Sequence, residues 1–271
     1  MSLKTKQQSV KKLDPVWTSI RQEAEEITKQ EPALANFVFS NILNHNSFEK
    51  ALCYRLAQRL GHLDVSADLI RQAFNEILKE SNKIAILSRI DIVATKERDP
   101  ACHRLIEPFL YFKGYQAIQV HRFAHELYKM GRKDMAYYLQ SRSSQTFQAD
   151  INPAVKMGQG IMLDHGTGVV IGETSVIGDN VSILQGVTLG GTGKVDGDRH
   201  PKVGSGVLIG AGAKILGNIR IGDCARIASG SVVLEDVPAK KTVAGVPAKI
   251  VGEAGCAYPS LNMDQMWGEI I

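Results

Sequence analysis

Residues 203–237, VGSGVLIGAGAKILGNIRIGDCARIASGSVVLEDV, decide the fold. Val203, Ile209, Ile215, Ile221, Ile227 and Val233 recur every six residues without a break. Four residues after each stands Val207, Ala213, Ile219, Ala225, Ser231 or Val237, again small or aliphatic. Neither a 3.6-residue helix nor a two-residue strand alternation has a period of six. A chain that turns a corner every six residues does. Each branched aliphatic then points into a prism, the residue four on fills space beside it, and glycines take the corner conformations. Three flat faces make one coil of roughly 18 residues, stacked at the ~4.8 Å spacing of neighbouring strands. The expected fold is a left-handed parallel β-helix; a Gly-rich β-sandwich would not repeat six times in register.

Glycine marks where this architecture begins. Nineteen of the 25 glycines lie between Gly158 and Gly245, and only Gly61, Gly114 and Gly131 precede them. The chain therefore divides near Asp150 into a helical first half and a repeat-built second half. The expected arrangement is a helical assembly domain over 1–149, a β-helix over 150–251 with a loop at 190–202, and a flexible tail over 252–271. At 271 residues, with 22% charged and 44% hydrophobic residues, each half can bury a core. A net charge of +4, with no basic run interleaved with aromatics, gives no reason to expect nucleic acid. No apolar run suits a signal peptide or membrane span. Cys53, Cys102, Cys224 and Cys256 have no paired spacing and read as reduced thiols in a cytoplasm.

In the first half, Val16, Ile20, Ala24 and Ile27 keep helical spacing, and Pro32 opens a second helix carrying Leu34, Phe37, Val38 and Ile42. Ser47 is the expected N-cap of a helix over 48–60 that stops at Gly61. Ser66 caps another, with Leu69, Ile70, Ala73, Phe74, Ile77 and Leu78 on one face. Helical spacing continues over 81–95. Asp99-Pro100 then breaks and restarts the pattern, with Asp99 as N-cap of a helix over 100–112. Helices over 115–130 and 133–146 follow, separated by Gly114 and Gly131.

In the second half, Val155 and Ile161 set one register, while Ile171, Ile177, Ile183 and Leu189 set another. Between Gly190 and Lys202 the period fails, and GGTGKVDGDRHP projects as a loop of the kind repeat proteins use for function. The prism closes near 243–251, and β-helices of this shape pack as trimers with clefts between prisms.

Only two histidines, His165 and His200, fall in the repeats. His165 lies in Leu163-Asp164-His165-Gly166, where the register slips. Asp150 precedes it by nearly one coil, a spacing that could stack a carboxylate beside the imidazole, as a general base needs. His200 adjoins Arg199 in the loop, a pair suited to a carboxylate. Two histidines are one short of the three that γ-type carbonic anhydrases use on this fold, so no metal is expected. Gly190-Gly191-Thr192-Gly193-Lys194 lacks Walker spacing.

The pieces Asp99-Pro100, Phe147-Gln148-Ala149-Asp150-Ile151-Asn152-Pro153, Gly160-Ile161-Met162-Leu163-Asp164-His165, Gly172-Glu173-Thr174, Asp198-Arg199-His200-Pro201-Lys202 and Ala244-Gly245-Val246-Pro247-Ala248 together resemble the serine acetyltransferase family. The resemblance covers most of the chain beyond about residue 15. It implies transfer of an acetyl group from acetyl-CoA to L-serine on the way to cysteine. His165 matches the family's catalytic base and Asp150 its carboxylate partner; Asp99, Asp164, Arg199 and His200 match the serine-binding shell, with the loop supplied across a subunit boundary. Gly191, Ala211 and Ser229 are the expected acetyl-CoA contacts. The resemblance also implies L-cysteine as feedback inhibitor, a homotrimer or dimer of trimers, and O-acetylserine sulfhydrylase bound through Ile271. The Gly-Glu-Ile-Ile ending departs from the family's usual Gly-Asp-Gly-Ile. Two other readings remain: an acyltransferase for another acceptor, such as homoserine or a sugar, and a non-catalytic scaffold for the sulfhydrylase.

Overall fold

The computed structural model describes residues 14–193 and 196–265. Lys194 and the expected partner-binding Ile271 lie outside the described residues.

Helix α1 (Pro15–Gln30) begins where the Asp14 side chain accepts from the Trp17 N–H at 3.1 Å, with Pro15 in the first turn. The second expected helix is a chain of short pieces: a 3₁₀ turn over Pro32–Leu34, α2 (Ala35–Val38) and a π turn over Phe39–Leu43. There the Asn41 amide donates to Phe37 O one turn back at 2.8 Å and competes with the regular ladder. Ser47 caps α3 (Phe48–Leu60) and Ser66 caps α4 (Ala67–Glu80), as the sequence predicts. Leu69, assigned to the apolar face of α4, instead points outward and is 55% exposed.

After α5 (Lys83–Arg98), Asp99 starts no helix. It ends α5, and its side chain accepts from the Ala101 N–H at 2.8 Å. The expected helix over 100–112 shrinks to α6 (Ile106–Leu110) because a remote residue sets its start. Glu23 of α1 accepts from the Leu105 and Ile106 N–H groups at 3.3 and 2.7 Å. Then come α7 (Lys113–Lys129) and α8 (Lys133–Phe147).

Gly114, expected as a separator, is the second residue of α7. A Cβ there would sit 1.9 Å from Leu163 O, so α7 can press on the repeat backbone only with glycine in that place. Gly114→Ala is expected to cost about 1–3 kcal/mol and to raise the KM for the acceptor, because Leu163 leads into the site below. Unchanged melting and kinetics would show that this wall yields freely.

The second half is a parallel β-helix of five stacked coils. The first contains β1 (Ala149–Ile151), β2 (Lys156–Met157) and β3 (Met162–Leu163). The second contains β4 (Val169–Ile171), β5 (Val176–Ile177) and β6 (Ser182–Ile183). The third contains β7 (Thr188–Gly190), β8 (Lys202–Val203) and β9 (Leu208–Ile209), and the fourth β10 (Lys214–Leu216), β11 (Arg220–Ile221) and β12 (Arg226–Ile227). β13 (Val232–Val233) opens the fifth, which ends in a hairpin of β14 (Lys241–Gly245) and β15 (Ala248–Glu253). Three flat sheets result: sheet A is β1-β4-β7-β10-β13, sheet B is β2-β5-β8-β11, and sheet C runs from β3 through β6, β9, β12 and β14 to β15.

The register corrects the reading of the first coil. Ile151, Met157 and Leu163 pair with Ile171, Ile177 and Ile183, twenty residues on, whereas Ile171 pairs with Leu189 eighteen on. Val155 and Ile161 therefore belong to the companion class, four residues after each inward aliphatic. The two extra residues fall between Leu163 and Ile171, where Asp164-His165-Gly166-Thr167-Gly168 replaces the shorter corner Leu184-Gln185-Gly186. Asp150 consequently stacks on Val170, not beside His165.

Two buried arginines fasten the halves together. Arg98 donates to Gly160 O, Ser182 Oγ and Asn180 Oδ1 at 2.9–3.1 Å. Arg122 of α7 forms a two-pronged ion pair with Asp91 of α5 at 2.7 and 2.9 Å, and Asp91 also accepts from the Ile161 N–H at 3.0 Å. The tail, through Gln265, is held on sheet C, where Ser182 Oγ donates to Ser260 O and Arg226 faces Asp264.

Candidate active site

The enlarged corner between sheets C and A carries His165. Its φ of 55° is left-handed, a conformation that few residues other than glycine adopt. The Gly166 N–H bonds back to Asp164 O at 2.6 Å, closing the tight turn. The imidazole is pushed outward and is 72% exposed, with Nε2 3.7 Å from Asp164 Oδ1.

His165 and Asp164 form one wall of a cavity of about 600 Å³, completed by Asp99, Thr95, Glu107, Tyr111 and Lys113 from the helical half. Freed from capping a helix, Asp99 is available to this cavity. Burial holds the Asp164 carboxyl above its ordinary pKa; His165 pulls the other way and Asp99 adds to the rise. Two nearby acids in a partly desolvated cavity favour a cationic guest, which relieves their repulsion. Thr95, Glu107, Tyr111 and Lys113 are not found by sequence reasoning, because no period or spacing connects them to the repeats.

The other expected site residues stand at a different corner, between sheets A and B. Arg199 Nη2 donates to Glu173 Oε2 at 3.0 Å. His200 is buried over Gly172 and bonded to Thr174. Burial, and then the Arg199 guanidinium, keeps His200 below the ordinary histidine pKa. Gly191 belongs to this corner, since a Cβ on it would lie 3.3 Å from Arg199 Cγ. Asp150 lies on sheet A and accepts from Gln140 Nε2 at 2.6 Å. Within one chain, then, His165, Asp164 and Asp99 come together, while Arg199, His200 and Asp150 do not join them.

The expected acetyl-CoA contacts divide the same way. Gly168, Gly186, Gly212 and Gly230 stack up the C–A corner through bonds from Gly186 N to Thr167 O, Gly212 N to Gln185 O and Gly230 N to Ala211 O. Ala211 and Ser229 border that stack, so they share an edge with His165. Among the described residues, no group of three or more His, Cys, Asp or Glu side chains could hold a metal ion, and no helix is long and apolar enough to cross a membrane.

The family model for the serine acetyltransferase N-terminal region matches residues 16–120, and that for the bacterial transferase hexapeptide, six repeats, matches 200–235. A serine acetyltransferase of Brucella abortus strain S19, solved in complex with coenzyme A, is 60% identical with a TM-score of 0.89, covering 90% of this chain and 98% of that one. This chain belongs to the serine acetyltransferase family. A serine acetyltransferase solved in complex with cysteine is 51% identical, TM-score 0.91, covering 93% and 98% of the two chains. The soybean serine acetyltransferase solved with serine is 48% identical, TM-score 0.85, covering 87% and 97%. The family's helical region and hexapeptide repeats thus correspond to the two halves whose junction forms the acidic cavity.

Proposed function

We propose that this chain transfers the acetyl group of acetyl-CoA to the hydroxyl of L-serine, giving O-acetylserine and CoA, the step that leads from serine toward cysteine in the cytoplasm. The observation that carries the reading is the acid-rich cavity ending at an exposed histidine, on the same edge as Ala211 and Ser229. Asp99 and Asp164 suit the ammonium of an amino acid, and the edge suits an elongated cosubstrate whose reactive end reaches His165.

The serine hydroxyl is a poor nucleophile at neutral pH, so His165 removes its proton as Oγ attacks the thioester carbonyl. The Oγ–carbon bond forms and the oxyanion takes hydrogen bonds from N–H groups of the Gly190–Gly193 segment of the neighbouring copy, which stands with Arg199. Collapse breaks the carbon–sulfur bond, and the proton held by His165 passes to the CoA thiolate. Transfer is direct, with no acetyl-enzyme.

Arg199 and His200 complete the serine shell from a neighbouring copy, Arg199 taking the carboxylate and Asp150 supporting the imidazole. Around a threefold axis the contact is head-to-tail, so the A–B corner of one prism meets the C–A corner of the next. A homotrimer, with a dimer of trimers built through the helical half, follows from this reading. L-cysteine, which shares the ammonium and carboxylate of serine, fits the same shell as a feedback inhibitor. Ile271 is the proposed anchor for O-acetylserine sulfhydrylase.

The test is CoA release with L-serine, homoserine and a sugar acceptor in parallel. Release that depends on L-serine supports the proposal, and equal rates with other acceptors overturn its specificity. Mixing inactive His165→Ala and Arg199→Ala subunits is expected to restore part of the activity, because a mixed trimer contains an intact site. No recovery from trimers shown to be mixed would place the whole site within one chain.

A further inference from the structure

We infer that Thr174 is a positioning residue that fixes His200 as a neutral imidazole with its single proton on Nε2, so that His200 serves the acceptor site as a hydrogen-bond donor and not as a cation. The inference rests on the proposed reading only in assigning His200 to the serine shell.

The backbone N–H of Thr174 donates to His200 Nδ1 at 3.2 Å. A nitrogen that accepts a backbone N–H cannot itself carry a proton, which excludes both the imidazolium and the Nδ1–H tautomer. The Thr174 hydroxyl ties the loop backbone down beside the ring. Its oxygen accepts from the Arg199 N–H at 3.0 Å and from the His200 N–H at 3.1 Å, which fills its acceptor capacity. The hydroxyl proton remains to be donated, and Nδ1 lies 2.9 Å away. Asp198, which accepts from Lys202 Nζ, is a second acceptor within reach of that hydroxyl. Lys202 also donates to Thr174 O and His200 O at 2.7 and 2.8 Å, tying the two residues together.

Nε2 must then bear the proton. It makes no hydrogen bond among the described residues, and the ring sits close against Gly172, where a Cβ would come within 2.1 Å of Cδ2 and Nε2. The charged groups around the ring are Arg199, Lys202, Glu173 and Asp198. Arg199 is the permanent cation of the pair, and a second positive charge beside it is disfavoured in a buried place. The division of labour is clear: Arg199 supplies charge to a carboxylate, and His200 supplies a directed N–H that does not fade as pH rises through the histidine range.

Long-range ¹H–¹⁵N spectra of the histidine-labelled full-length protein test this directly, with His200→Gln assigning the resonance. Expected are an unprotonated Nδ1 and a protonated Nε2, unchanged between about pH 6 and 8. An Nδ1–H signal, or titration in that range, overturns the inference whatever the acceptor proves to be. If the spectra hold but serine-dependent release is absent, the proposed function falls and the tautomer assignment stands. Thr174→Ser keeps the hydroxyl and is expected to behave as wild type in spectra and kinetics. Thr174→Val keeps the backbone N–H on Nδ1 but loses the hydroxyl that holds the Arg199 and His200 N–H groups, so it is expected to raise the KM for serine by roughly 10-fold with kcat changed less than about 3-fold and the tautomer retained. A loss confined to kcat, or a Thr174→Ser variant as impaired as Thr174→Val, would mean that Thr174 acts otherwise.

Discussion

Replacing His165 is expected to lower kcat for serine-dependent CoA release by 10²–10⁴-fold, the range that a positioned proton transfer supplies. The KM for serine should change far less, because the proposed holders of the substrate are Asp99, Asp164 and Arg199. The choice of replacement matters. His165 sits at φ 55°, where alanine is strained and asparagine is tolerated. His165→Asn therefore removes the base while keeping the corner, and the side chain it replaces is 72% exposed, so melting should shift little. A variant that keeps more than about a tenth of wild-type kcat would remove His165 from the mechanism, since so small a loss is below what general-base catalysis contributes. A large loss in His165→Ala alone would show that backbone conformation, not proton transfer, had been measured.

The fold was legible because a solenoid repeats its constraint. Each of Val203, Ile209, Ile215, Ile221, Ile227 and Val233 obeys the same geometry, and all are buried. Helix starts with a local serine cap, at Ser47 and Ser66, were legible for a similar reason: cause and effect lie within three residues. The start of α6 was not, because its cap is Glu23, more than eighty residues away. The first coil shows the limit from another side. Its inward class contains Met157 and Leu163, less conspicuous than the Val155 and Ile161 beside them, so the companion class was taken for the register of that coil.

The residues of the site were legible as types, but their grouping was not. A fifteen-residue separation suggested that Asp150 and His165 stack, yet the coil that joins them is twenty residues long, because the insertion that presents His165 also lengthens it. The split of His165 from Arg199 and His200 follows from which corner each departure from the period occupies. The family resemblance implies the same split, with the loop supplied across a subunit boundary, but the residues alone show it only once the corners are assigned to sheets. Thr174 was visible in the motif Gly172-Glu173-Thr174 but carried no chemistry until the loop was seen to fold back on it.

Breaking the buried pair between α5 and α7 is expected to be the largest single loss of stability. Asp91 is fully buried and Arg122 nearly so, with side-chain exposures of 0% and 3%. Arg122→Met leaves a carboxylate in the interior with only the Gln119 amide and the Ile161 N–H to support it, both at 3.0 Å. Removing one partner of such a pair costs about 3–5 kcal/mol, which for a protein of this size is a fall in Tm on the order of 10 °C. Arg122 also donates to Gly158 O at 2.8 Å, so the loss loosens the segment that leads through Ile161 to Leu163 and the His165 corner. Serine KM should rise in the same variant at temperatures where it remains folded. Asp91→Leu combined with Arg122→Met removes both charges and should recover only part of the loss, because the Ile161 N–H and the Gln119 amide are left unpaired, at about 1–3 kcal/mol each. A double-mutant cycle separates these contributions. If Arg122→Met melts within about 2 °C of wild type, the interior is wet enough to solvate Asp91, and the junction is held by its other bonds, such as those of Arg98 and Lys113.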